Sequence, residues 1–429
     1  MPIRLCLVAL NALPVISPHI PGPIGGMETR AWSLARGLAR QPDVSVSFVV
    51  RDSRPRIPHQ VDGVTLHLLH DRFYLSRESL MLRLQASSRF PWIWLRRPRW
   101  SDLFVLPAVI LSRLWAGKTD PLSPLPICKR LPADVFVTFG VQQTSARVIA
   151  AARAEGRRSA LFLASDVDLD ERILTDPHFI SSSGDPGAVC RWMLTHADLI
   201  LCQTPTQQQN IQKFGREAIL LRNPIDLKEW SPGSVSSTSE MHPSRTAGLS
   251  RYALWVGRAD RQLKQPLLLV ELAKQCPKID FLMVMNRRDE VVEQEVRGTA
   301  PPNLKIVEQV PFSEMPAVMQ RAAVLINTSP REGFPNTFLQ AAACGVPVAS
   351  LCVEEEFLRE SRAGWCAGGD LPALANFLRD CWEGCAQDFD PVTARDFLFT
   401  HHSLERQSAQ LATYLKQLAE QPPRSTPFV

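Results

Sequence analysis

Long apolar runs are missing from this sequence. The best, Leu103 to Leu111, is about half of the roughly 20 uninterrupted residues that a spanning helix needs, and it contains Pro107. No GxxxxGKS or GxxxxGKT loop is present, and the first strand-like run is not followed by GxGxxG, so ATPase and dinucleotide-binding readings lack their motifs. HExxH and paired acidic metal motifs are absent too, which points to metal-independent chemistry. Ten cysteines lie scattered from Cys6 to Cys385 without a CxxC pair. Cys381 and Cys385 sit one helical turn apart but have no matching second pair, which argues against a zinc site. So low a density favours buried, reduced thiols and a cytoplasmic setting. A strong charge imbalance is lacking as well. With 48 basic against 43 acidic residues the net charge is +5, too mild for nucleic acid as a bulk partner.

What is present is a soluble composition, 45% hydrophobic and 21% charged, over 429 residues. That length exceeds one ordinary core, so two domains are expected. Thirty-five prolines against 21 glycines imply many fixed turns and an irregular stretch. Leu5 to Ile16, behind Arg4, has the look of a short signal-peptide core, but Asn11 and Pro14 interrupt it and Gly25-Gly26 follows. A buried strand from Arg4 to Leu10 is the better reading.

Strands and helices alternate through both halves. A helix is expected over Glu28 to Arg40, with Trp32, Leu34, Ala35 and Leu38 on its apolar face. Val44 to Val50 and Val61 to Leu69 read as strands, followed later by Asp134 to Phe139, Ser159 to Ala164 and Leu199 to Cys202. Residues 231–250 have few large apolar side chains and read as a linker. The alternation then restarts: strands at Tyr252 to Gly257, Phe281 to Met285, Leu304 to Val307, Val324 to Asn327 and Val346 to Leu351, with a helix at Asn336 to Cys344. The fold class is α/β, two doubly wound Rossmann-like domains whose strand ends face each other across a cleft. The expected division is 1–230, linker 231–250, a second domain 251–385, and 386–429 as a helix packing back on the first domain followed by a tail.

Residues 72–118 break the rhythm. They hold nine Lys or Arg against two acids, Glu78 and Asp102, with Trp92, Trp94, Trp100 and Trp115 interleaved. One reading is a solvated insertion whose tryptophans pack on the domain. The other is an interfacial segment drawn to anionic lipid. Single-stranded nucleic acid suits the pattern less, since no RNA-binding motif accompanies it.

The chemistry-bearing signal is Ser329-Pro330-Arg331-Glu332-Gly333-Phe334-Pro335-Asn336-Thr337. A loop with a carboxylate leaves a strand, turns at Gly333 and opens a helix near Pro335. The backbone amides of Asn336, Thr337 and Phe338 then stand at the positive end of a helix dipole, a cradle for phosphate. Glu332 is placed to accept from sugar hydroxyls, and Gln340, one turn in, to reach a ribose. Arg258 and Lys264, at and after the end of a strand, supply a fork and a point charge for a diphosphate.

In this order the motifs make the second half similar to the carboxyl-terminal domain of family 4 glycosyltransferases, the retaining nucleotide-sugar enzymes of GT-B fold. The stretches that carry the resemblance are LWVGRADRQLKQP, NLKIVEQVPFSEMPAVMQRAAVLINTS and PREGFPNTFLQAAACGVPV. PGPIGGMETRAWSLARGLAR and ADLILCQTPTQQQNIQKFG with LLRNPID extend it more loosely into the first half. The resemblance implies a nucleoside diphosphate sugar donor in the second domain, no separate cofactor, and an acceptor in the first, on a glycan or a lipid. It implies that Arg258 and Lys264 bind the diphosphate, Glu332 the sugar and Gln340 the ribose. The backbone of Gly333, Phe334, Pro335, Asn336 and Thr337 would cover sugar and phosphate, with that of Val310 near the base. Gly25 and Gly26 would form the acceptor-side loop.

Two departures stand out. Gln340 replaces the family's second glutamate, giving up a charge-assisted bond to ribose. The histidine usual after the strand Ser159 to Ala164 is replaced by Ser165-Asp166-Val167-Asp168, where Asp166 and Asp168 are either polar groups beside the sugar, as candidate catalytic residues, or cap and turn residues. His19 is the other histidine near the glycine loop. A non-catalytic nucleotide-sugar binder and a nucleotide-sugar epimerase are the alternative functions.

Overall fold

The computed structural model describes every residue except 1, 18–19, 21, 23, 55, 82, 87–92, 96–97, 108–119, 234–245, 247 and 423–429. His19, Trp92, Trp115 and most of the linker therefore lie outside the described residues.

The first sheet has eight strands, in the spatial order Ile219–Leu220, Leu199–Cys202, Arg158–Phe162, Val135–Phe139, Ile3–Val8, Val44–Asp52, Val64–His70 and Gln60–Val61. Leu5, Cys6, Leu7 and Val8 are buried on both faces of its centre, as expected of a parallel strand covered by helices. The single strand expected over Val61 to Leu69 is instead a hairpin. Asp62 and Gly63 both take positive φ (49° and 81°), the backbone of a two-residue turn, and Val61 pairs with Val64.

The second sheet has six parallel strands: Leu304–Val307, Phe281–Asn286, Tyr252–Arg258, Ala322–Asn327, Val348–Ser350 and Gly364–Cys366. Numbered within the domain this is the order 3-2-1-4-5-6, which reverses direction between Tyr252–Arg258 and Ala322–Asn327. Loops leaving those two strands diverge there and open a crevice. Trp255, Phe281, Leu269 and Leu378 fill a core beneath it.

Two chain crossings join the domains. The N–H of Ile225 donates to His402 O (2.8 Å) and that of Leu404 to Ile225 O (2.9 Å), so the crossings lie side by side. His402, fully buried, donates Nδ1–H to Asn223 O at 2.8 Å. Beyond the crossing, the helix Leu404–Glu420 packs on the helix Gly26–Ala39. Gly37 permits the approach: a Cβ there would lie 2.6 Å from Ser408 Oγ and 2.9 Å from Leu404 Cδ1.

The expectation of buried thiols fails at Cys352 and Cys385, which are exposed in turns after a strand and a helix; none of the ten cysteines is in a disulfide. No described helix is long and apolar enough to cross a membrane.

Candidate active site

The loop after Ala322–Asn327 is built around one carboxylate. Asn327 Oδ1 accepts the N–H of Ser329 (2.9 Å), which turns the chain back. Glu332 Oε1 then accepts three hydrogen bonds: from Asn327 Nδ2 (2.9 Å), Ser329 Oγ (2.6 Å) and Lys264 Nζ (2.5 Å). The Glu332 side chain is only 15% exposed. Charge-assisted bonds from three separate donors fix its position far better than one surface ion pair does.

Lys264 is delivered by an equally ordered loop. Asp260 Oδ1 accepts the amides of Gln262 (3.0 Å) and Leu263 (2.8 Å). Thr328 Oγ1 donates to Lys264 O (2.7 Å) while accepting from the buried Trp255 Nε1 (3.0 Å). Gln265 takes φ 45°, a left-handed turn that lets Pro266 begin the next helix. Arg258 ends its strand opposite the other domain, close enough to Glu28 to oppose the rise that burial imposes on that carboxyl. Glu28 folds back over Gly25, where a Cβ would lie 2.3 Å from Glu28 Oε2.

The helix Asn336–Ala343 starts at Pro335 without a side-chain cap. Its first side chain is a strut between domains. Asn336 Nδ2 donates to Gly26 O (2.8 Å), and Asn336 Oδ1 accepts from Asn223 Nδ2 (2.8 Å). Asn223 Oδ1 accepts from Arg30 Nη1 (3.1 Å), and Arg30 Nη2 donates to Leu163 O (2.8 Å). Burial lowers the Arg30 guanidinium to about 10; it lies 5.0 Å from the Phe162 ring centroid. Sequence reasoning missed Asn223 and Arg30, although both lie in quoted stretches, LLRNPID and GGMETRAW.

Gly333 touches the first domain. A Cβ on it would lie 2.8 Å from Ser165 Cα, 2.9 Å from Gln203 Nε2 and 3.0 Å from Ala164 O. The Ser165–Asp168 segment opposite is a capping box. Asp168 is buried, and its Oδ2 accepts the amides of Ala164 (2.6 Å) and Ser165 (3.4 Å). Its carboxylate is thus committed to the backbone, and the catalytic alternative for Asp168 gives way to the cap. Asp166 accepts from Gln207 Nε2 (3.0 Å) and lines an open cleft with Arg222, Gly333, Phe334, Glu354 and Glu356.

Phe334 packs edge-on to Phe357 (5.2 Å) and stacks with His402 (5.5 Å), so its side chain belongs to an aromatic cluster at the domain junction. Gln340 is 7% exposed and lines a separate, narrow pocket with Arg30, Trp230, Phe312 and Asn336. Val310 is buried and packs into the core that holds Phe312. Pro335 is buried and Thr337 half-buried.

Glu354 was not foreseen. It occupies the left-handed region (φ 59°), a conformation that costs a non-glycine residue about 1 kcal/mol or more. Burial, reinforced by the nearby carboxylates of Asp166, Glu332 and Glu356, lifts its carboxyl from 4.5 to about 7 against the pull of Arg222. The sign follows from the raised value: the proton's stabilising contribution is whole below about pH 4.5 and gone above about pH 7. Glu354→Gln is therefore expected to match wild type in stability at pH 4.5. Its advantage should grow with pH to the order of 3 kcal/mol above pH 7. Denaturant melts across that range read it, and a constant difference between the two proteins would refute it.

Residues 250–383 match the family model described as Glycosyl transferases group 1. No curated protein matches the chain. Among solved structures, it is similar to sucrose-phosphate synthase from Thermosynechococcus elongatus (TM-score 0.65, 16% identity, covering 97% of this chain and 99% of that one). It is also similar to trehalose-6-phosphate synthase OtsA (TM-score 0.64, 11% identity, 98% and 100% covered). A third similar structure is Anabaena HepE in complex with UDP and glucose (TM-score 0.63, 14% identity, 97% and 100% covered). Across nearly the whole of its length, then, the chain has the two-domain GT-B architecture, with the matched family model falling on the second domain.

Proposed function

We propose that the protein is a retaining glycosyltransferase that moves a sugar from a nucleoside diphosphate donor to a hydroxyl of a glycan or lipid-linked acceptor, with no metal or further cofactor. The observation that carries this is the meeting of Lys264 and Glu332 at the crevice of the second sheet, beside the uncapped start of the helix Asn336–Ala343. A cation and the amides of Asn336 and Thr337 suit a diphosphate, that of Phe338 being taken by Pro335 O (3.0 Å), and an immobilised carboxylate suits sugar hydroxyls. The match of residues 250–383 and the UDP and glucose bound by HepE support the same reading.

In this mechanism the bond from the anomeric carbon to the diphosphate oxygen breaks, and its electron pair leaves with the phosphate. Lys264, Arg258 and the amides at the helix start stabilise that charge. The acceptor oxygen bonds to the anomeric carbon from the same face and passes its proton to the departing diphosphate. Glu332 Oε2, which takes part in none of the three bonds made by Oε1, accepts from a donor-sugar hydroxyl and holds the ring in place.

A panel of nucleotide sugars in thermal-shift experiments tests the reading. One or more at about 100 times its dissociation constant is expected to raise the melting temperature by about 3–6 °C, with ATP and NAD giving none. A flat response to every nucleotide sugar overturns the proposal.

A further inference from the structure

The described part of residues 72–118 carries an apolar wedge that no other described residue covers. Trp100 is 88% exposed, Phe104 81% and Leu103 65%, the first two being the most exposed large apolar side chains among the described residues. They sit together in one turn and the start of a short helix, 102–107. Isolated exposed apolar residues are ordinary; three adjoining ones held at the tip of a rigid turn are not.

The turn is rigid because of Asp102. Buried between the wedge residues and the body of the domain, it takes both Arg83 nitrogens (Nη1 at 2.5 Å, Nη2 at 2.7 Å) and the amide of Arg99 (2.7 Å). Arg83 Nε also donates to Ser79 O (2.9 Å), which ties the turn to the helix Tyr74–Met81. Asp102 and Arg83 thus neutralise each other, and the other eight basic residues of the segment face one further acid, Glu78, a strong local excess in a chain of net charge only +5.

The segment is rooted at the edge of the first sheet that faces the cleft. It follows the carboxyl end of Val64–His70. Tyr74 OH donates to Asn11 Oδ1 (3.3 Å), just past the carboxyl end of Ile3–Val8, and Arg51 lies 4.3 Å from the Tyr74 ring centroid.

The geometry points to a docking surface for an anionic lipid bilayer, with Trp100, Leu103 and Phe104 entering the headgroup region and the cationic segment that carries them drawn to lipid phosphates. Charge complementarity selects this occupant. An aromatic wedge carried by a segment of strongly basic sequence matches an apolar layer under a negative surface, where aromatic rings seat at the boundary and each cation adds attraction that salt screens. A protein partner of matching shape would need an acidic rim as well as a socket. The inference stands apart from the transferase reading, since binding to vesicles needs no donor or acceptor.

The test is flotation of the full chain with vesicles of phosphatidylcholine alone and of phosphatidylcholine with phosphatidylglycerol. Wild type is expected to float with the anionic vesicles, not with the neutral ones, and to be released by high salt. The triple variant W100S/L103S/F104S, whose changes touch no packed residue, is expected to keep the wild-type melting temperature and lose about tenfold or more in partitioning. Absence of wild-type flotation, or equal flotation of the variant, overturns the proposal. So does binding of single-stranded RNA, lost in the variant, in place of vesicle binding.

Discussion

Gly333→Val is expected to cut turnover by about a hundredfold or more while both domains stay folded. The reason is steric and local. Any Cβ at residue 333 lands within 3.0 Å of Ser165 Cα and Ala164 O, backbone atoms of the facing domain that cannot rotate away. Valine therefore wedges the domains apart next to Glu332, where residue 333 meets the first domain's loop. A displacement of about 1 Å between reacting groups suffices for losses of that size. Donor turnover measures the effect, and small-angle scattering should show a larger radius of gyration than wild type. Gly298→Ala is the control: no atom lies within 4 Å of a Cβ there, and inside the helix Glu290–Thr299 alanine should be neutral or stabilising by about 1 kcal/mol. Wild-type turnover in Gly333→Val would show that the closed contact is dispensable.

Substitutions in the Lys264–Glu332 pair are expected to separate binding from chemistry. Lys264→Ala removes a cation facing the diphosphate and should weaken binding of the bare nucleoside diphosphate by about 10–100-fold, read by titration calorimetry. Glu332 stays anchored in that variant by Asn327 and Ser329, so the loop persists. Glu332→Gln should leave diphosphate affinity within about threefold and lower kcat by about 10²–10³, because the amide gives up a charged acceptor that positions the sugar. The double variant should cost less than the sum of the two, since the residues share a bond. Diphosphate affinity unchanged in Lys264→Ala would reduce the pair to a surface ion pair.

Local patterns made much of the fold legible. Trp32, Leu34, Ala35 and Leu38, assigned to one helix face by spacing alone, are all buried, and five of the six strands of the second sheet begin and end within about two residues of where periodicity puts them, while the three-residue edge strand Gly364–Cys366 is too short to show a pattern. The hairpin at Asp62-Gly63 escaped because apolar residues flank the turn on both sides, so alternation runs through it unbroken. Asp-Gly was the signal to heed.

At the site, Lys264 and Glu332 were legible as separate candidates from where strands end, but the bond between them was not. Nor was the Arg30–Asn223–Asn336 strut, because it joins residues more than 100 positions apart whose types are common at turns. Glu354 was illegible for a related reason. Its raised carboxyl value comes first from burial that only the assembled cleft provides, and then from Asp166 and Glu332, on two other segments and in part another domain.

The return of the helix Leu404–Glu420 to the first domain has a consequence for biosynthesis. Translation at about 5–20 residues per second delivers residue 404 roughly 20–75 s after the end of the helix Gly26–Ala39. Throughout that interval the groove around Gly37 is bare on a nascent chain whose second domain is still emerging. Holdase chaperones that recognise such uncovered surface on ribosome-bound chains have their longest opportunity here, and a stop codon placed before residue 404 leaves that opportunity permanent.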